Sequence, residues 1–144
     1  MPHLPTNKTV VLKADSGATN HYFKIDNMAV LDKVQKNSHK KNIQLPNITN
    51  IPVTHEGLLP LSNKLSDAAK TVQILPKLTN CSLLSIGQLC DDNCWGLFNK
   101  KDLLLFKKKK IILRGKRNHN DGLWDVTITS NKNLRLIIHI HNHQ

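Results

Sequence analysis

The sequence is poor in acidic residues, in aromatic residues and in long apolar runs. Only 10 of its 144 residues are Asp or Glu, against 21 Lys and Arg, so the formal net charge is +11. This excess is typical of proteins that function near nucleic acid or within a larger acidic assembly. Lysines that only keep the surface solvated would explain it equally well. Because only 4% of the residues are aromatic, base-stacking surfaces are scarce. We expect at most weak, non-specific contact with nucleic acid.

Cysteine is also scarce. Cys81, Cys90 and Cys94 lack the paired CxxC spacing of a zinc ribbon and the density of a disulfide scaffold. No apolar run approaches membrane-spanning length, and the first residues lack the apolar core of a signal peptide. The sequence therefore predicts a cytoplasmic chain with no metal, no cofactor and no membrane contact.

The most informative stretch is an Asp-Ser-Gly turn that follows an apolar strand. Alternating apolar residues predict a strand from Thr9 to Asp15, with Val10, Leu12 and Ala14 on one face. Gly17 then permits a tight turn. Taken alone, this stretch places one carboxylate on a turn, where a structural aspartate is the commoner interpretation. Two facing copies would form a pair that shares one proton and activates water.

The rest of the chain predicts short strands separated by polar turns. Residues 24–42 fit either a short helix or an irregular segment, and the pattern does not decide between them. One helix is predicted over Leu83–Cys90, with Ser82 or Ser85 as its cap. The predicted strands cover residues 43–45, 51–59 and 71–75, and then an antiparallel meander of residues 95–98, 103–106, 111–113 and 123–128.

Two separated motifs together resemble one protein family. Asp15–His21 resembles the active-site motif of the retropepsin-like aspartic proteases of Ty1/copia-type retrotransposon Gag-Pol polyproteins. Leu75–Asp92 resembles the segment that follows in the same elements, and Ile112–Gly115 and Gly122–Trp124 are typical of their polyproteins. The tripeptide alone is a weak signal, but the ordered set, over about residues 9–128, is a strong one.

The resemblance implies a role for each matching residue. Asp15 would be the catalytic aspartate, and a second chain would supply the other half of the dyad. Ser85 stands where most retropepsins carry glycine, in the loop that supports the catalytic turn, and serine is common there in copia-type sequences. The residues that would support the active site are Ser16, Gly17, Ala18, Thr19, Leu83, Leu84 and Ser85.

The resemblance also implies a flap, a β-hairpin that closes over the substrate. In this chain Ile48 stands where related elements usually carry glycine. A β-branched residue at a turn position that favours positive φ costs stability and stiffens the flap. The flap residues would be Pro46, Asn47, Ile48, Thr49 and Asn50.

Together these observations predict an all-β, retropepsin-like closed β-barrel with one short helix, active as a homodimer, with a C-terminal β-meander extension. The expected parts are an arm (1–8), a protease domain (9–100), the extension (101–128) and a tail (129–144). The implied function is an aspartic endopeptidase that cleaves its own polyprotein, in the cytoplasm or within virus-like particles. The alternative is a catalytically inactive retrotransposon remnant that acts as a basic binding or structural module.

Overall fold

The structure, a computed structural model, describes residues 8–45 and 48–130. These residues form ten strands, a 3₁₀ helix over Ile25–Val30, and two short α-helices, α1 (Asp67–Lys70) and α2 (Ile86–Cys90). The strands are β1 (Thr9–Asp15), β2 (His21–Phe23), β3 (Asp32–Leu45), β4 (Ile48–Leu58), β5 (Thr71–Ile74), β6 (Ser82–Ser85), β7 (Cys94–Phe98), β8 (Asp102–Lys107), β9 (Lys110–Arg117) and β10 (Trp124–Thr129).

All ten strands belong to one mixed sheet in the order β3-β4-β5-β2-β6-β1-β10-β9-β8-β7. The pairs β1–β6 and β2–β5 are parallel, and the other pairs are antiparallel. The strand that ends in Asp15 is therefore an interior strand, held by β6 on one side and by β10 on the other. An interior strand has backbone partners along both edges, which fixes where its last residue lies.

Two apolar clusters make up the core. The larger one joins the first half of the chain to the meander, because Leu12, Leu84, Leu105 and Val126 are all fully buried in it. The smaller cluster lies beside the β3–β4 hairpin and contains Tyr22, Ile51, Val53 and Leu75.

Several predictions about single elements are confirmed. The first strand covers Thr9–Asp15 as expected, with Leu12 in the core cluster, Val10 and Ala14 packed against it, and Val11 exposed. The meander is also confirmed, since β7, β8, β9 and β10 pair consecutively and antiparallel. Its last strand lies along β1, so the predicted extension continues the sheet that contains Asp15.

The predicted helix over Leu83–Cys90 is wrong in its first three residues. Leu83, Leu84 and Ser85 belong to β6 and lie opposite residues 13–15 of β1, and α2 begins only at Ile86. Backbone pairing with an interior strand outweighs the weak helical spacing of the apolar residues. Of the two serines considered, Ser85 is the cap, because its hydroxyl accepts a hydrogen bond from Gln88 N.

The hairpin expected at the flap is present but longer than predicted. β3 begins at Asp32, within the segment that the sequence left undecided, and β3 pairs with β4 up to Leu45 opposite Ile48. Ile48, Thr49 and Asn50 are therefore strand residues and not loop residues. Pro46 and Asn47 lie outside the described residues.

The chain is mainly β, as predicted, but strand pairing among the described residues does not close a barrel. β3 and β7 stand at the two ends of the strand order, and each has one neighbour. The meander extends the sheet beyond β1 by four strands, and these strands do not return to β3. The sheet is open because its added strands continue in one direction.

The close approach of β9 to β10 gives a stability prediction. An added Cβ at Gly115 would lie 2.9 Å from the carbonyl oxygen of Asp125 and 3.1 Å from Val126 Cγ2. Gly115→Ala should therefore lower the free energy of unfolding by about 1–3 kcal/mol, measured by urea denaturation.

Gly87→Ala is the matched control, because its Cβ would meet nothing nearer than Ser85 Oγ at 3.8 Å. Alanine in this helix should leave stability unchanged or raise it by about 0.5–1 kcal/mol. Equal urea midpoints for the two variants would contradict the close packing described at Gly115.

Candidate active site

Asp15 lies at the end of β1, where the chain turns sharply. Its Oδ1 accepts a hydrogen bond of 2.7 Å from Gly17 N, so the side chain closes the turn over its own backbone. Asp15 is half-buried, and Ser16 and Gly17 are exposed. The carboxylate is thus held in one orientation on a surface that another chain can approach.

Ser85 braces this turn from the neighbouring strand. It lies opposite Asp15 in the parallel β1–β6 pair. Its hydroxyl donates to the carbonyl of Ala18 at 2.7 Å and accepts from Gln88 N at 3.0 Å. A glycine at this position would make neither bond, so the serine ties the Asp15 turn to the start of α2. The structure therefore brings together the two segments that the resemblance assigned to one site.

His21 is a buried supporting residue that the sequence analysis did not single out. Its Nδ1 accepts from Ser85 N at 2.8 Å, and its Nε2 lies 2.7 Å from the carbonyl oxygen of Ala69. Because a carbonyl oxygen only accepts, the proton is on Nε2 and the ring is neutral. His21 ends the Asp15–His21 motif, but the sequence gave no indication of this supporting role, because histidine is found both buried and exposed in folded proteins.

Gln88 completes the support from α2. Its Oε1 accepts from His21 N at 2.7 Å, and its Nε2 donates to the carbonyls of Ala68 and Thr71 at 2.8 and 2.7 Å. One side chain therefore satisfies backbone groups of β2 and of the stretch that joins α1 to β5. The sequence gave no indication of this role, because an amide on a short helix is ordinarily solvated.

Thr19 lies on the side of the turn that faces the hairpin. Its Oγ1 is 3.3 Å from the Tyr22 hydroxyl, which also accepts from Asn20 Nδ2 at 3.3 Å. Tyr22 packs with Ile51 and Val53 of β4 in the smaller core cluster. The β3–β4 hairpin is thus connected to the Asp15 turn through Tyr22.

A partly buried ion network lies next to the candidate site, around Lys13 of β1. Lys13 Nζ is 2.6 Å from Asp121 Oδ2 and also contacts Asp125 Oδ1. Desolvation disfavours the charged ammonium, but the bonds and charges of the two carboxylates outweigh it and raise the pKa of Lys13. Lys13 is therefore occupied by the meander and does not serve as a counter-ion for Asp15.

Residues 8–45 and 48–130 contain no group of three His, Cys, Asp or Glu side chains that could hold a metal ion. In that same part of the chain, no helix is long and apolar enough to cross a membrane.

Comparison with protein-family models, curated proteins and solved structures finds no match to the chain.

Removal of the Ser85 hydroxyl tests how strongly it supports the turn. Ser85→Ala loses two hydrogen bonds at a fully buried position. The free energy of unfolding should therefore fall by about 1–3 kcal/mol. Ser66→Ala is the control, since Ser66 is exposed and its hydroxyl caps α1 and bonds to the Asp92 carboxylate at the surface. If urea denaturation gives the same loss for both variants, Ser85 does not have the bracing role described.

His21 should make stability depend on pH. Burial lowers its pKa from 6.5 to about 4, despite the opposing hydrogen bond to Ala69. Between these values the unfolded chain binds the proton and the folded chain does not. The contribution of the neutral His21 ring to the free energy of unfolding is therefore complete above pH 6.5. It is lost as pH falls towards about 4, a change of about 3 kcal/mol.

Unfolding by urea at a series of pH values measures this effect. The non-titrating His21→Asn variant should be less stable at neutral pH and should lose less stability than the wild type as pH falls from 6.5 to 4. Parallel pH curves for the two proteins would show that His21 is not held neutral.

Proposed function

We propose that the chain is one half of an aspartic endopeptidase, active as a homodimer in which each chain contributes Asp15. The observation that supports this proposal best is the construction of the Asp15 turn. The Asp15 carboxylate accepts a hydrogen bond from Gly17 N. The Ser85 hydroxyl donates to the Ala18 carbonyl in the same turn, and Ser85 N donates to the buried His21 ring. A structural turn aspartate would not need a buried support of this kind behind an exposed tip.

The support matters because the proposed chemistry depends on fixed geometry. Two carboxylates from facing turns would lie close enough to share one proton. Such a pair works only if each carboxylate stays in place within a fraction of an ångström, which buried hydrogen bonds behind it help to ensure. Ser85 and His21 would supply that rigidity in each chain.

The proposed reaction is peptide-bond hydrolysis by an activated water. The ionised carboxylate removes a proton from the water as its oxygen attacks the peptide carbonyl carbon, and the protonated partner hydrogen-bonds the carbonyl oxygen. The C–N bond then breaks, and the leaving nitrogen takes a proton from the dyad. No covalent enzyme intermediate forms, and the two carboxylates titrate as a unit.

The β3–β4 hairpin would act as the flap. Ile51 and Val53 of its second strand pack with Tyr22, whose hydroxyl lies 3.3 Å from Thr19 Oγ1 in the Asp15 turn. An extended peptide beneath it would be bound largely through its backbone, as when a strand is added to a sheet. Closure would exclude bulk water from the dyad.

The substrate class follows from the family resemblance. We propose that the chain cleaves the retrotransposon polyprotein from which it derives, in the cytoplasm or within virus-like particles. Dimerisation is part of the proposal, because the chain supplies one Asp-Ser-Gly turn and the dyad needs two.

Asp15→Asn tests the function. The amide retains Oδ1 as an acceptor for Gly17 N, so the fold should survive, whereas cleavage of polyprotein-derived peptides should fall by at least about 10³-fold. Asp26→Asn, at an exposed residue of the 3₁₀ helix, is the control and should cleave normally. Product formation is followed by mass spectrometry from acidic to neutral pH. Cleavage by Asp15→Asn at the wild-type rate would refute the proposal.

A further inference from the structure

Two separate segments bring four lysines together outside the candidate active site. The lysine cluster consists of Lys64, which precedes α1, and Lys108, Lys109 and Lys110 at the β8–β9 turn; all four are exposed and line one concave surface. Lys107 Nζ connects the segments, since it donates to the carbonyl of Lys64 at 2.9 Å and pairs with Asp92 Oδ2 at 3.0 Å.

The positive charge of the cluster is not balanced by carboxylates of the part of the chain that the structure describes. Of the salt bridges between residues of the described part, none includes a member of the lysine cluster. The nearby carboxylate of Asp92 is already bound by Lys107 and by Ser66 N. The Lys110 ammonium lies so close to that of Lys64 that it lowers the Lys64 pKa, and Lys108 adds to the effect.

One lysine of the cluster has an unusual backbone conformation, which Lys33 outside the cluster shares. Lys108 has φ +55°, a left-handed conformation that is uncommon for a residue with a long side chain. Asparagine, aspartate or glycine would adopt it at lower cost. A lysine at this point adds charge to the cluster at a position where the turn itself does not favour it.

We propose that the lysine cluster binds the phosphate backbone of a nucleic acid without reading its sequence. Several ammonium groups that face one concave surface suit a polyanion, because each phosphate contact releases bound counter-ions. Among residues 8–45 and 48–130, only lysines line this surface, so these residues offer it neither the guanidinium groups nor the aromatic rings that read or stack bases. This inference stands independently of the proposed protease activity.

The test compares two triple variants that each remove three positive charges. Lys64→Gln, Lys108→Gln and Lys110→Gln together remove the core of the cluster. The control combines Lys77→Gln, Lys100→Gln and Lys101→Gln, which lie on other exposed turns. Both sets are made in the Asp15→Asn protein, so that proteolysis does not interfere. Binding of a fluorescent single-stranded oligonucleotide is measured by anisotropy over a range of salt concentrations.

The cluster triple should bind at least about tenfold more weakly at about 0.1 M salt, with the slope of log K against log salt reduced by about 2. The control triple should bind the oligonucleotide with an affinity close to that of the parent protein. Equal weakening of both triples, or no binding by the parent protein, would overturn the proposal. So would equally effective displacement by poly-glutamate, since an acidic protein surface would then be the better ligand.

Thermal unfolding of all three proteins accompanies the binding assay. If the cluster triple does not fold, the single variants Lys64→Gln and Lys77→Gln give the same comparison. A selective loss of binding in Lys64→Gln supports the proposal, and identical binding by the two single variants contradicts it.

Discussion

Ser85 makes the interactions on which the geometry of the candidate site depends. Its backbone lies opposite Asp15, its N–H donates to His21, and its hydroxyl joins Ala18 to Gln88. Ser85 is fully buried, so water cannot replace these bonds when one partner is removed. The shape of the Asp-Ser-Gly turn is therefore set by a residue about halfway along the chain, and turn and helix form one hydrogen-bonded unit.

The fold was predictable where side chains alternate clearly. Val126 and Ile128 of β10, like Leu103 and Leu105 of β8, alternate between buried and outward positions, and these strands were found from the sequence. Only residues 43–45 of the long strand β3 were predicted, because residues 33–42 are mostly polar and their strand structure comes from pairing with β4. The order of the strands was not predictable either, since β10 pairs with β1 across more than a hundred residues.

The candidate site was predictable in its exposed part and not in its buried part. The Asp15 turn and the Leu83–Ser85 segment carry recognisable residues, and the structure brings them together. His21 and Gln88 lie within the two matching motifs, but their roles were not predictable, because these roles depend on which backbone groups the folded chain places around them. Polar residues that become buried in a hydrogen-bond network look the same in a sequence as exposed ones.

Subunit mixing tests most directly the claim that two copies of Asp15 form one active site. Wild-type chain is refolded together with an equal amount of Asp15→Asn chain, and peptide cleavage is compared with that of the same amount of wild type alone. A site shared between two chains predicts a fall to about half, since random pairing places half of the wild-type chains in mixed dimers with a single ionisable dyad residue. Unchanged activity in the mixture would contradict the account, because each wild-type chain would then work without its partner's Asp15.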